Sequence, residues 1–174
     1  MSALVLIGPP GSGKTTVGRA LAALLDLGFV DTDQLVEAKA GKSIGEIFVA
    51  QGEPAFRAME RVAVAEALAQ ARTGGLVVAL GGGAPMDPAT AASLAGTTVV
   101  FLDISAPLAA RRVGLDATRP LLAGSPRKLW RDLMAGRRPV YEGLADATIL
   151  VDGLSPAEAA GRIAAQVMAK EKQG

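Results

Sequence analysis

The chain has 174 residues, half of them apolar and only 3% aromatic, with a formal net charge of +1 and neither cysteine nor histidine. That length suits one domain, 1–174, with a core of Ala, Val, Leu and Ile, and the balanced charge supplies no general attraction to nucleic acid or to an anionic membrane. The missing cysteines exclude disulfides and thiolate chemistry, in keeping with a cytoplasmic protein, and the missing histidines leave a carboxylate, solvent or a perturbed Lys or Tyr as proton acceptor.

Ala3 to Ile7 is a short apolar run that predicts a strand buried on both faces, and Thr15 to Leu25 predicts a helix. No basic leader precedes the run, and no apolar stretch approaches the roughly 20 residues that cross a bilayer. Between strand and helix lies Gly8-Pro9-Pro10-Gly11-Ser12-Gly13-Lys14-Thr15, the G-x-x-x-x-G-K-[ST] pattern in the strand-to-helix setting it requires. Glycines let backbone N–H groups converge on a polyphosphate, and the helix N-terminus adds partial positive charge. Lys14 is placed to reach the β- and γ-phosphates of a nucleotide, and the Thr15 hydroxyl to ligate Mg²⁺.

Gly28 to Val30 predicts a second strand, ending in Asp31-Thr32-Asp33 at the sheet edge where open α/β folds bind ligands. One carboxylate can serve the metal and phosphates and the other a second substrate, or either can cap the helix that begins near Gln34. Ser43 to Gln51 reads as a short helix with a capping box at Ser43 and Glu46. A longer helix follows from Gly52-Glu53-Pro54 to about Gln70. On it Glu53, Arg57 and Glu60 share one face, a spacing that by itself favours a solvated salt-bridge face.

Leu76 to Leu80 predicts a third strand ending in Gly81-Gly82-Gly83, where a ligand can come close to bare backbone. Thr97 to Asp103 predicts a fourth, whose terminal Asp103 rivals Asp31 as the metal-side carboxylate. From Pro107 the chain turns basic, with Arg111, Arg112, Arg119, Arg137 and Arg138. A loop with arginines of this kind is where a lid over phosphates would be placed. Arg137-Arg138-Pro139 is read as the end of a helix. Ala147 to Val151 predicts a fifth strand and Ser155 to about Lys170 a closing helix with its own capping box. Strands alternating with helices predict a parallel sheet covered on both faces.

The ordered set Asp31-Thr32-Asp33, Ser43 to Phe48, Gly52-Glu53 with Phe56-Arg57 and Glu60, Gly81-Gly82-Gly83, Arg119-Pro120-Leu121-Leu122, and Arg137 with Pro139 and Tyr141 resembles the shikimate kinases. The likeness spans residues 4 to 152. It implies a three-layer α/β/α P-loop kinase with a five-stranded parallel sheet in the order 2-3-1-4-5. It also implies a helical substrate-binding subdomain at about 32–61 and a mobile lid at about 112–125. The implied reaction is transfer of the ATP γ-phosphate to the 3-hydroxyl of shikimate, with Mg²⁺, by a monomer.

By the same resemblance Lys14, Asp33 and Arg119 are catalytic, and Gly11, Ser12, Gly13, Lys14, Thr15, Thr16, Arg112 and Arg119 hold the nucleotide. Asp33, Arg57, Glu60, Gly81, Gly82, Gly83 and Arg137 hold shikimate, and Thr15 with Asp31, through water, holds the metal. Between Arg137 and Arg138, the spacing before Pro139 favours Arg137 as the inward one. On this reading Lys14, Asp33 and Arg57 line a common cleft. A gluconate kinase would share the need for a carboxylate-gripping arginine, but the Ser43–Phe48 and triple-glycine motifs argue against it. A nucleotide-binding protein that had lost its chemistry would show damage at Lys14, Asp33 or the arginines, and none is visible.

Overall fold

The structure is a computed structural model that describes residues 3–114 and 126–171. Arg119 and its Pro120-Leu121-Leu122 neighbours therefore lie outside the described residues, as does most of the segment expected as a lid. Five parallel strands form one sheet in the order β2-β3-β1-β4-β5. They are β1 (Leu4–Ile7), β2 (Gly28–Asp31), β3 (Leu76–Ala79), β4 (Thr98–Asp103) and β5 (Ala147–Leu150). β1 lies at the centre, with Val5 in register with Val78 on one side and Val99 on the other, and all four of its residues are fully buried. A strand covered on both faces has no reason to alternate polar and apolar residues, hence the unbroken Leu-Val-Leu-Ile run. The α/β class and strand order are those expected.

The helices are α1 (Lys14–Leu25), α2 (Thr32–Ala40), α3 (Ile44–Gln51), α4 (Glu53–Gly74), α5 (Pro88–Ser93), α6 (Ala106–Gly114), α7 (Pro126–Leu144) and α8 (Pro156–Glu171). α1 packs on α8, α4 on β3, and α7 on α6 and β4. Both predicted capping boxes form, Ser43 with Glu46 and Ser155 with Glu158. A second, smaller cluster of Val36, Ile47, Phe56 and Ala63 joins α2, α3 and the first half of α4, apart from the sheet's own core.

After Gly83 the chain winds into a short 3-10 helix (Ala84–Met86) and α5, which Asp87 caps by accepting from the Ala89 amide at 3.1 Å. Two local expectations fail. α4 continues to Gly74, past the expected end near Gln70. α7 does not stop at Arg137-Arg138-Pro139 but runs through Pro139 to Leu144. An interior proline removes one backbone hydrogen bond and costs about 3 kcal/mol. Here the turn beyond it is anchored by the fully buried Tyr141, whose ring packs on Phe101 at a centroid distance of 5.1 Å.

Candidate active site

The loop after β1 passes through Gly8, Gly11 and Gly13 with φ of 152°, 84° and 85°. A Cβ on Gly8 would stand 2.5 Å from the Leu102 carbonyl oxygen, and one on Gly11 3.0 Å from Val113 Cγ2, so side chains are excluded there by both backbone conformation and space. α1 starts at Lys14 with no side-chain cap, and the first-turn amides of a helix have no intrahelical acceptor. Lys14 Nζ donates to the carbonyls of Gly8 at 2.7 Å and Pro9 at 3.1 Å, which holds the ammonium against the loop. The Ser12 side chain is buried inside the loop, and its Oγ has no partner among the described residues.

A cavity of about 360 Å³ opens over this loop, and Gly11 to Thr16, Asp31, Asp33, Gly82 and Arg112 all line it. Arg112 Nη1 donates to Gly11 O at 3.0 Å. The far wall, Val151, Leu154, Pro156 and Ala159, had no signal in the sequence beyond the end of a strand. That wall is braced by Asp152, which accepts from the Ser105 amide at 2.9 Å and from the Ser105 hydroxyl. Burial alone would raise the Asp152 carboxyl, but the Ser105 hydrogen bonds and the Arg112 charge outweigh it and hold it below the usual aspartate value.

At the carboxyl end of β2 Asp31 caps the next helix and also reaches the phosphate loop. Its Oδ1 accepts from the amides of Asp33 at 2.9 Å and Gln34 at 3.2 Å and so caps α2, while Oδ2 accepts from the Thr15 hydroxyl at 2.5 Å. Asp103 is engaged elsewhere. It accepts two parallel bonds from Arg138, at 2.9 and 3.0 Å, and one from the Ile104 amide. The spacing before Pro139 favoured Arg137 as the inward one of the paired arginines; Arg138 pairs with Asp103, and Arg137 meets the glycine turn at Gly82.

Gly81 and Gly83 each meet a charged side chain that a Cβ would strike, and Gly82 one that it would crowd. A Cβ on Gly81 would lie 2.4 Å from Asp33 Oδ1 and 2.9 Å from Glu60 Oε2. On Gly82 it would lie 3.1 Å from Arg137 Nη1, and on Gly83 2.6 Å from both terminal nitrogens of Arg57. Thr32, which sequence reasoning passed over, fastens this turn: it is buried, and its Oγ1 accepts from the Gly81 amide at 3.0 Å. Tyr141 fastens it from the other side by donating to Gly82 O at 2.6 Å.

The solvated face expected from the spacing of Glu53, Arg57 and Glu60 does not exist as such. Glu60 is 3% exposed and accepts from Arg57 Nη1 at 2.7 Å; only Glu53 is a surface partner, 3.4 Å from Arg57 Nε. Burial pushes the Glu60 carboxyl above its ordinary value despite Arg57 and Arg137 nearby. For Arg57 burial disfavours the charge, but the hydrogen bonds and charges of Glu60 and Glu53 prevail and its pKa rises. The same pair thus moves both groups upward, because the more deeply buried partner pays more in lost hydration.

Lys14 and Asp33 share the cavity. Arg57 does not line it, but meets the same glycine turn at Gly83, one residue beyond Gly82 of the cavity wall. The profile of the shikimate kinase family matches residues 10–168. The chain belongs to that family. A shikimate kinase of Salinispora arenicola is 56% identical over 95% of this chain and 97% of its own length. One from Thermobifida fusca is 52% identical over 95% and 94%. Among solved structures, the shikimate kinase from Acinetobacter baumannii in complex with shikimate superposes with a TM-score of 0.92 at 35% identity, covering 98% of this chain and 94% of that one. Phosphate loop, glycine turn and charged side chains are thus the parts of a shikimate kinase scaffold in this chain, and no described helix is long and apolar enough to cross a membrane.

Proposed function

We propose that the protein transfers the γ-phosphate of ATP to the 3-hydroxyl of shikimate, giving shikimate 3-phosphate and ADP on the route to chorismate and the aromatic amino acids. The observation that carries this reading is the glycine turn: Asp33, Glu60, Arg137 and Arg57 abut three consecutive bare residues beside a phosphate-binding loop. Shikimate offers one carboxylate and three hydroxyls. Two arginines suit the carboxylate, Arg57 held by Glu60 and Arg137 against Gly82, while Asp33 and the Gly81–Gly83 backbone suit the hydroxyls.

Asp33 accepts the hydrogen bond of the reacting hydroxyl and aims its oxygen at the γ-phosphorus, taking the proton late. Phosphoryl transfer depends mainly on positioning and charge stabilisation, so no stronger base is required. The loop amides of Gly11, Ser12, Gly13, Lys14, Thr15 and Thr16 hold the polyphosphate, Lys14 neutralises it, and Arg112 borders the base. Arg119, in the lid at about 112–125, adds positive charge at the transferred group. Residues 32–61 act as the acceptor-binding subdomain of a single domain.

The donor set fits Mg²⁺. Among the described residues no group of three acidic or histidine side chains could hold a metal alone, so phosphate oxygens and water would complete its shell. Thr15 gives its proton to Asp31, which leaves the hydroxyl lone pairs free for the ion, and both Asp31 oxygens are engaged, which suits contact through water. Mg²⁺ bound there would offset charge on the β- and γ-phosphates. We take the protein to act as a cytoplasmic monomer.

The test is ADP release from ATP–Mg²⁺ against shikimate, quinate and gluconate. Only shikimate is expected to be turned over efficiently, with Asp33→Asn lowering kcat by about 10²-fold or more at unchanged ATP KM. Preferred turnover of gluconate, or an Arg57→Ala variant with unaltered shikimate KM, would overturn the assignment of the acceptor pocket.

A further inference from the structure

α7 carries Trp130, Met134, Arg137 and Tyr141 along one stripe. Trp130, Met134 and Tyr141 are buried, so Arg137 stands in a slot where the pattern calls for an apolar side chain. Something must hold its flexible stem in one conformation. Helical side chains lean toward the N-terminus, which brings the Tyr141 hydroxyl back over the turn that carries Arg137.

Two contacts meet there. Tyr141 Oη donates to Gly82 O at 2.6 Å, with the Arg137 charge close enough to act on the phenol. Arg137 Nη1 in turn lies 3.1 Å from where a Cβ on Gly82 would stand. Burial pushes the phenol above its ordinary pKa, with Arg137 acting in the opposite direction, so the hydroxyl keeps its proton for Gly82.

We infer that Tyr141 is a positioning residue for the acceptor: its hydroxyl donates to the Gly82 carbonyl and accepts from Arg137, fixing the arginine against the turn it faces. One N–H of the guanidinium is thereby spent on the phenol, and the others are held in the plane from which they meet a carboxylate. The inference rests on the reading of Arg137 as a carboxylate-binding group.

The test is a double-mutant cycle on the intact enzyme. Tyr141→Phe is expected to raise shikimate KM about five- to tenfold while ATP KM stays within about twofold. Arg137→Met raises shikimate KM on its own, and adding Tyr141→Phe to it changes KM no further. If Arg137→Met leaves shikimate KM unaltered, the acceptor-pocket reading falls and takes this inference with it. If Arg137→Met raises KM but Tyr141→Phe does not, or the two penalties multiply, the hydroxyl is only a core tie and the inference alone falls.

Should Tyr141→Phe fail to fold, 3-fluorotyrosine can replace tyrosine throughout, because Tyr141 is the only tyrosine in the chain. The ring is kept while the hydroxyl becomes a stronger donor and a weaker acceptor. A change of about twofold or more in shikimate KM at constant ATP KM supports the inference, and no change overturns it.

Discussion

Arg138 holds Asp103 through two parallel hydrogen bonds, Nη1 to Oδ2 at 2.9 Å and Nη2 to Oδ1 at 3.0 Å, with its guanidinium 5.8 Å from the centre of the Phe101 ring. The pair engages both Asp103 oxygens and ties α7 to the end of β4. Asp103→Asn is therefore expected to leave the Mg²⁺ concentration for half-maximal activity within about twofold, whereas Asp31→Asn raises it about tenfold or more. Titration of the two variants with Mg²⁺ at fixed ATP checks the contrast.

On the proposed roles, the glycine turn sets the catalytic Asp33 at Gly81 apart from the carboxylate-binding Arg57 at Gly83, with Gly82 between them. Gly81→Ala puts a methyl group onto Asp33 and is expected to lower kcat about 10²-fold. Gly83→Ala puts one onto Arg57 and is expected to act mainly on shikimate KM. Steady-state kinetics of both variants decide the matter; equal effects on kcat and KM from the two would sink the division.

Glu60 shows a conflict between stability and function. Its folded pKa is raised, so its contribution to stability is fully present below the ordinary glutamate value near 4.5 and is lost as pH rises through the folded value. Glu60→Gln removes that titration. The variant is expected to melt at or above the parent temperature at pH 7, with the difference shrinking toward pH 4, yet to bind shikimate more weakly because Arg57 loses its anionic brace. Thermal melts at several pH values, paired with shikimate KM, test both halves.

Thr32→Val keeps the shape of a buried side chain but leaves the Gly81 amide without its acceptor. An orphaned buried donor costs about 1–3 kcal/mol. For a domain of this size that corresponds to a fall in Tm of about 2–12 °C, readable by calorimetry.

The phosphate loop was legible because local chemistry dictates it: a run of apolar residues, glycines at fixed offsets and a helix start. Glu60 and Arg137 were harder, although a signal was present. Phe56, Glu60, Ala63 and Ala67 form a buried stripe on α4, as Trp130, Met134 and Tyr141 do around Arg137 on α7. A charge in an apolar slot of a helical stripe points inward, and the i, i+4, i+7 spacing of Glu53, Arg57 and Glu60 concealed this by matching a surface ion-pair pattern equally well. Pro139 misled because the proline rule is local, while the partners that hold α7 around it, Phe101 and Gly82 for Tyr141 and Asp103 for Arg138, lie in other elements. The Thr32–Gly81 bond joins residues 49 positions apart and left no trace in either neighbourhood.

The small cluster of Val36, Ile47, Phe56 and Ala63 has one further consequence. α4 belongs to it through Phe56 and Ala63, and to the sheet through Val64, Ala67, Leu68 and Ala71. Arg57 and Glu60 thus ride on the half of the helix with the thinner support, and regions with few buried contacts open at lower free energy. On the proposed role of Arg57, warming is expected to loosen the grip on the acceptor's carboxylate first, ahead of the loop rooted in β1 and the sheet; such an enzyme would forget its substrate before it loses its fold.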